Sequence, residues 1–349
     1  MKHALILFFS ITCCVIRSQD TIKVAGLLPD QNAEKDYNNG LLEIKKNNFQ
    51  GAADLFTKCI SAKPDFDKAF CNRAVAYSNL KKYPEALKDI NNALLINPSN
   101  PEAYFNKALI FFGTHESDSE MVALNKCIAL KKDHFEALYY KGLLFYESND
   151  ATAAIDLYSK AIVINPTYTY AYNDRGSAKR ALGDYNGAIV DYEKANSLDK
   201  SLVFIYNNLG SAYSLNKNKT KAIEVFSKAV ALDPNYLLAL NNRGAAHFEN
   251  KDYKSAQIDF ENVLKKDPQN ASAYNNLASI AIKEKDYNKA KDMSSKSIQL
   301  NPNNGPAFFN RGIALQMLHD EAGSCADWKK AKELGVDGAA AFINASCTN

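Results

Sequence analysis

Asparagine recurs in this chain at a spacing that no local structure requires. Asn72, Asn106, Asn208, Asn242, Asn276 and Asn310 share one slot of a 34-residue period, with Tyr140 and Asp174 in the same slot of two intervening periods. One residue earlier stand Asn173, Asn207, Asn241 and Asn275. A side-chain amide carries both a donor and an acceptor. A row of amides therefore suits one chemistry above others, matching the N–H and C=O groups of another backbone whatever its side chains. Asn makes up 37 of 349 residues, which would place about two in the eighteen slots of this kind, against the ten named here. Asn also costs up to ~0.7 kcal/mol relative to Ala inside a helix, so local stability does not explain the enrichment. Two readings stay open. The amides hold an external chain, or they are a neutral residue copied by repeat duplication or bonded between neighbouring repeats.

Other chemistry is hard to find. There is no Gly-rich phosphate loop, nucleophile elbow or paired-histidine motif. His3, His115, His134, His247 and His319 fall at unrelated slots, and His247 shares one with Tyr77, Phe111 and Tyr213, where packing residues stand. No CxxC occurs, so a zinc site is not expected. The formal charge is +3 and no basic run stands out, which argues against nucleic acid as a partner. Nothing points to a cofactor, a metal, a small-molecule substrate or an enzymatic activity.

The elements that position the amides follow from the same period. Residues 33–338 divide into nine repeats without insertion or deletion: 33–66, 67–100, 101–134, 135–168, 169–202, 203–236, 237–270, 271–304 and 305–338. Position 8 of each is small (Gly40, Ala74, Ala108, Gly142, Gly176, Gly210, Gly244, Ala278, Gly312), and position 20 is mostly Ala. Tyr172, Gly176 and Lys179, and then Ala188, Tyr192 and Ala195, fall at helical spacing on either side of Gly183-Asp184. Each repeat thus reads as two short helices, with Pro64, Pro98, Pro166, Pro234, Pro268 and Pro302 closing most second helices. The small residue of the first helix is expected to face the Ala of the second. One pair cannot bury its apolar face alone, but stacked pairs can. The fold class predicted is an all-α, right-handed superhelical solenoid. Repeat one departs from the pattern at Asp36 and Glu43. Repeat three departs through the polar stretch from Gly113 to Ser119 and through Glu120 at the small slot, and a looser hairpin is expected there.

Repeat six shows a set of residues that identifies the pattern: Tyr206, Leu209-Gly210, Tyr213, Ala222, Phe226, Ala229 and Pro234. The chain resembles the tetratricopeptide repeat family over about 306 of its residues. The resemblance implies that the first helices line a concave surface, and that Asn72, Asn106, Asn173, Asp174, Asn207, Asn208, Asn241, Asn242, Asn275, Asn276 and Asn310 hold an extended peptide there. Members that clamp a terminal carboxylate place Lys and Arg where this chain has Tyr170, Phe204, Leu238 and Ser272, so that mode is not expected. The implied function is a non-enzymatic scaffold with a protein or peptide partner. Alternatives are an envelope assembly factor or accessory subunit docked by its outer face, and a regulatory or targeting subunit of a separate enzyme.

The ends carry different signals. Lys2, the apolar run Ala4 to Ile16, and Arg17-Ser18 read as a secretory leader over 1–18, too short for a permanent membrane span. Residues 19–32 are expected as a flexible lead-in. Cys13 or Cys14 after the apolar run offers a lipid-anchor alternative, as in an exported lipoprotein, and the only membrane attachment the sequence suggests. Export, to a periplasm or beyond, would permit disulfides. Cys325 with Cys347, and Cys59 with Cys71 placed about the turn near Asp65, are the candidate pairs, with buried free thiols as the other reading. Cys127 shares a slot with Ala93 and Ala161 and is expected in the core. Residues 339–349 are expected to cap the last repeat, which resembles terminal repeats of bacterial envelope members of the family. Asn218, Asn270 and Asn344 begin Asn-x-Ser/Thr sites.

Overall fold

The computed structural model describes residues 28–347, and among them it contains nineteen helices and no strand. The leader over 1–18, with Cys13 and Cys14, lies outside the described residues, as do residues 19–27 of the lead-in. The chain divides between Pro166 and Thr167 into two compact units.

The first unit holds four helix pairs: α1 (Leu28–Lys45) with α2 (Phe49–Ala62), α3 (Asp67–Asn79) with α4 (Tyr83–Ile96), α5 (Pro101–Thr114) with α6 (Ser117–Leu130), and α7 (Phe135–Glu147) with α8 (Ala151–Ile164). Helix α1 starts inside the stretch expected as a flexible lead-in. The second unit holds five pairs and a cap: α9 (Thr169–Ala181) with α10 (Tyr185–Leu198), α11 (Val203–Leu215) with α12 (Lys219–Leu232), α13 (Leu237–Glu249) with α14 (Tyr253–Lys266), α15 (Ala271–Glu284) with α16 (Tyr287–Leu300), α17 (Gly305–Met317) with α18 (Glu321–Glu333), and α19 (Ala339–Ser346). Within each unit, first helices of successive repeats touch one another, whereas second helices make no comparable contact. The first helices therefore crowd together on one side, the arrangement of a solenoid built from helix pairs.

The same turn joins every pair. Position 15 is left-handed in all nine repeats, for example Asn47, Lys81, His115 and Gly183 at φ of 58°, 59°, 61° and 81°. Position 16 then caps the second helix: the side chains of Asn48, Asp150, Asp184, Asn218, Asp252, Asp286 and Asp320 accept from a backbone N–H three residues on. Repeat three lacks that cap, since Glu116 makes no capping bond. Its hairpin is nevertheless regular, which corrects the expectation of a looser one. The turn is held by backbone bonds such as Glu116 N–H to Phe111 O at 2.9 Å, matched by Asp150 to Phe145 at 2.8 Å in the next repeat.

Packing between paired helices also differs from expectation. The missing Cβ of the position-8 glycine makes room first for an aromatic ring at position 24, with the Ala at position 20 close beside it at Gly176, where a Cβ would also lie 3.2 Å from the Ala188 carbonyl. A Cβ on Gly210 would lie 2.6 Å from the Phe226 ring, and one on Gly244 would lie 2.7 Å from Phe260. Gly40, Gly142, Gly176 and Gly312 meet Phe56, Tyr158, Tyr192 and Trp328 in the same way. Where position 8 is Ala, position 24 is smaller or not aromatic: Ala74 with Ile90, Ala108 with Leu124, Ala278 with Ser294. Packing to interior density leaves no other choice.

The cap closes the end of the second unit. Phe342 packs on Phe309 and Trp328, with ring centroids 5.0 and 5.1 Å apart, and a disulfide joins Cys325 on α18 to Cys347 just beyond α19. Cys59 and Cys71 are not joined: both are buried free thiols, as is Cys127. Symmetry about a turn does not decide which face a helix presents. Cys59 packs between Ala33 on α1 and Ala69 on α3, whereas Cys71 packs towards Ala86 on α4 and Ala103 on α5.

Candidate functional site

The amides sit on the first helices, and most are engaged with one another. Asn208 Nδ2 donates to Asn173 Oδ1 at 3.0 Å, Asn242 Nδ2 to Asn207 Oδ1 at 2.8 Å, and Asn310 Nδ2 to Asn275 Oδ1 at 2.9 Å. Each bond spans 35 residues, from position 6 of one repeat to position 5 of the repeat before it. At these three rungs the position-5 amide joins neighbouring repeats. Asn173 and Asn207 are only 5% and 4% exposed, which removes them from the set of peptide-contacting residues. Their burial follows from their place between successive first helices, where a carbonyl left unpaired would cost ~1–3 kcal/mol.

The position-6 amides remain half-buried and reach the surface. Ser211 and Ser279, three residues further on, donate to the backbone carbonyls of Asn207 and Asn275, and Asn310 also donates to Ser279 Oγ at 2.9 Å. Asp174 takes the place of an amide in repeat five and accepts from Asn173 Nδ2 at 2.9 Å. One rung is not closed. Asn241 Oδ1 is buried without a hydrogen-bond partner among the described residues, although Asn276 occupies the slot that would answer it.

In the first unit the same slots behave differently. Asn72 Nδ2 donates to the Tyr37 hydroxyl at 2.9 Å, and burial holds that phenol up at about 12. Asn106 is half-buried, but position 5 before it is Cys71, so no amide rung forms. A stripe of apolar residues at position 2 runs beside the second unit's ladder. The Tyr170 and Phe204 rings stack with centroids 6.3 Å apart and planes 15° apart, and Leu238 is 48% exposed.

A second recurring group went unread in the sequence. Position 7 is Arg in repeats two, five, seven and nine, and position 23 of the same repeats is Asp. Arg73 pairs with Asp89, Arg175 with Asp191, Arg243 with Asp259 and Arg311 with Asp327, each by two bonds of 2.6–2.9 Å. All four carboxylates are buried. The bidentate pairing raises the Arg73 and Arg311 guanidinium groups above their ordinary range. The signal was present. Within the chain's own repeats, Arg at position 7 and Asp 16 residues later occur together or not at all.

Among the described residues, no group of three or more His, Cys, Asp or Glu is placed to hold a metal ion, and no helix is long and apolar enough to cross a membrane. Buried Glu120 stands apart. Its Oε1 has no partner, and burial together with the nearby Glu147 charge pushes its carboxyl up to about 8.

Tetratricopeptide repeat models match residues 67–100 and 203–236, 122–169 and 247–310, and a TPR repeat model matches 176–217. The chain belongs to the tetratricopeptide repeat family. A comparison with curated protein sequences finds no match. Among solved structures, the C-terminal part of a TPR repeat-containing protein from Cytophaga hutchinsonii is 20% identical, with 69% of this chain and 99% of that one covered and a TM-score of 0.54. A chain of the APC/C hetero-tetramer Cut9–Hcn1 is 15% identical, with 90% and 76% covered and a TM-score of 0.58. Pseudomonas aeruginosa pilF is 18% identical, with 59% and 94% covered and a TM-score of 0.52. At these identities the likeness shows the fold. Tetratricopeptide repeat arrays serve as protein–protein interaction scaffolds, generally without catalysis of their own.

Proposed function

We propose that the second unit holds an extended peptide segment of a partner protein along its first helices, and that the protein carries no enzymatic activity itself. The observation that carries this reading is the unclosed rung at Asn241 and Asn276. There, among the described residues, Asn276, half-buried at the surface, keeps free the side-chain N–H that Asn208, Asn242 and Asn310 each direct to the preceding repeat. The position-6 amides beside it sit next to Tyr170, Phe204 and Leu238, which suits a chain whose alternate side chains are apolar. Of the eleven residues first considered, Asn208, Asn242, Asn276 and Asn310 carry the proposal. Asn173 and Asn207 support it from beneath.

The compartment proposed is an exported one. The leader read over 1–18 supports it, and so does the Cys325–Cys347 bond, since disulfides persist in oxidising surroundings. Attachment through a lipid on Cys13 or Cys14 is the membrane-bound form of the same proposal.

Affinity capture from the native host tests the scaffold reading. Asn276→Ala with Leu238→Glu should lose the captured partner. Val190→Glu with Ile258→Glu, on the exposed side of the second helices, should keep it. The reverse result would favour an assembly factor docked by its outer face. A co-purifying catalytic subunit retained by both would favour the regulatory-subunit alternative.

A further inference from the structure

The paired arginines bridge three helices. In repeat two the Arg73 guanidinium bonds Asp89 on α4, lies 5.6 Å from the Phe70 ring centroid, and donates to Thr57 on the preceding second helix at 2.9 Å. Arg243 and Arg311 reach Ser227 and Ser295 in the same way, at 3.4 Å. Arg175 and Arg311 lie 5.5 Å from the rings of Tyr172 and Phe308. In repeats two and nine a guanidinium thus sits between an aromatic ring at position 4 and an acceptor at position 25 of the repeat before, while repeat seven has Leu240 in place of the ring.

Repeat six keeps that frame and lacks the arginine. Positions 7 and 23 are Leu209 and Val225, and a cleft of about 290 Å³ opens between α10, α11 and α12. Tyr206 supplies the position-4 ring. Glu193 stands where Thr57, Ser227 and Ser295 stand elsewhere. It accepts from the Tyr213 hydroxyl at 2.5 Å, and no cation pairs with it among the described residues. Position 28 is Ile, Leu or Val in seven repeats, but in repeat five, whose second helix forms one wall of the cleft, it is Asn196; this residue lines the cleft and its Oδ1 is buried without a partner among the described residues. The two lysines at the mouth are engaged. Lys228 bonds Glu224 at 2.6 Å, and Lys221 Nζ lies 5.2 Å from the Tyr213 ring centroid.

The geometry points to this cleft as a binding site for an arginine side chain of a partner protein. Its stem lies against Leu209 and Val225, its plane on Tyr206, and its N–H groups donate to the Glu193 carboxylate and the Asn196 carbonyl. A planar fork with five donors and a stacking face answers a ring, a carboxylate and an amide carbonyl together, which an ammonium does not. The partner thereby supplies the guanidinium that four other repeats supply for themselves. This inference uses a different face from the amide ladder and stands or falls separately.

The test uses the full chain and three blocked tripeptides, Gly-Arg-Gly and its citrulline and lysine counterparts, followed by NMR on the tyrosine rings. The arginine peptide should perturb Tyr206 and Tyr213 and bind at least tenfold more tightly than the citrulline peptide. Leu209→Arg with Val225→Asp, which installs the resident pair of the other repeats, should abolish binding at unchanged helicity. Asn196→Ile should weaken it several-fold and serves as the independent variant should the double one misfold. Equal binding of all three peptides, no perturbation at millimolar arginine peptide, or full binding by both folded variants would overturn the assignment.

Discussion

Asn242 Nδ2 donates at 2.8 Å to the Oδ1 of Asn207, a residue 4% exposed in the preceding repeat. The ladder is therefore partly a device for joining repeats. Asn242→Ala would leave the Asn207 carbonyl buried and unpaired, so it should cost about 1–2 kcal/mol of stability. Asn276→Ala breaks no such rung and should cost less than ~0.5 kcal/mol. Urea unfolding of the two variants side by side checks the difference, and equal losses would remove the distinction between closed and open rungs.

The buried ion pairs invite a double-mutant cycle. Arg243→Leu alone strands the Asp259 carboxylate and should destabilise by ~3 kcal/mol. Adding Asp259→Val recreates the Leu209 and Val225 combination of repeat six and should restore most of that loss. A double variant no more stable than the single one would show that the pair does more than satisfy itself.

Gly210 and Phe226 are matched in size. Gly210→Ala should cost ~1–3 kcal/mol by overpacking, and Phe226→Leu in the same chain should recover part of it, since repeat three uses Ala108 with Leu124. Thermal melts of the two variants measure the recovery.

Glu120 gives the fold a pH dependence. Its carboxyl keeps its proton up to about pH 8 when folded, whereas the unfolded chain releases it near ~4.3. The folded state binds more protons between these values, so stability falls as pH rises through that window. Glu120→Ala should flatten the fall, with a gain on the order of 3 kcal/mol at pH 9 and little change at pH 4. Melts at the two pH values decide it.

Much of this architecture is legible in the sequence because the repeats align with one another. The period, the helix pairs and the turn at position 15 need nothing beyond one chain. The Gly–aromatic and Arg–Asp couplings were also legible, both at a spacing of 16 residues, the offset that brings paired helices face to face. What one repeat cannot reveal is the contact between repeats. Asn208 meets Asn173 across 35 residues, and only the stacking of first helices decides that position 5 turns inward while position 6 stays at the surface. The same limit applies to Cys59 and Cys71. Their separation in sequence is compatible with a bond, but Cys59 packs against Ala33 on α1 and Ala69 on α3, whereas Cys71 packs against Ala86 on α4 and Ala103 on α5.

The most direct test of the proposed groove is residue-specific crosslinking in living cells, with a photoreactive residue in turn at positions 242, 276 and 258. Neighbouring helices ~10 Å apart and an extended chain rising ~3.3 Å per residue set the scale. Crosslinks from 242 and 276 should fall on one partner segment about three residues apart, with none from 258. Crosslinks from 258 alone, or from 242 and 276 to unrelated segments, would contradict a peptide held along the first helices.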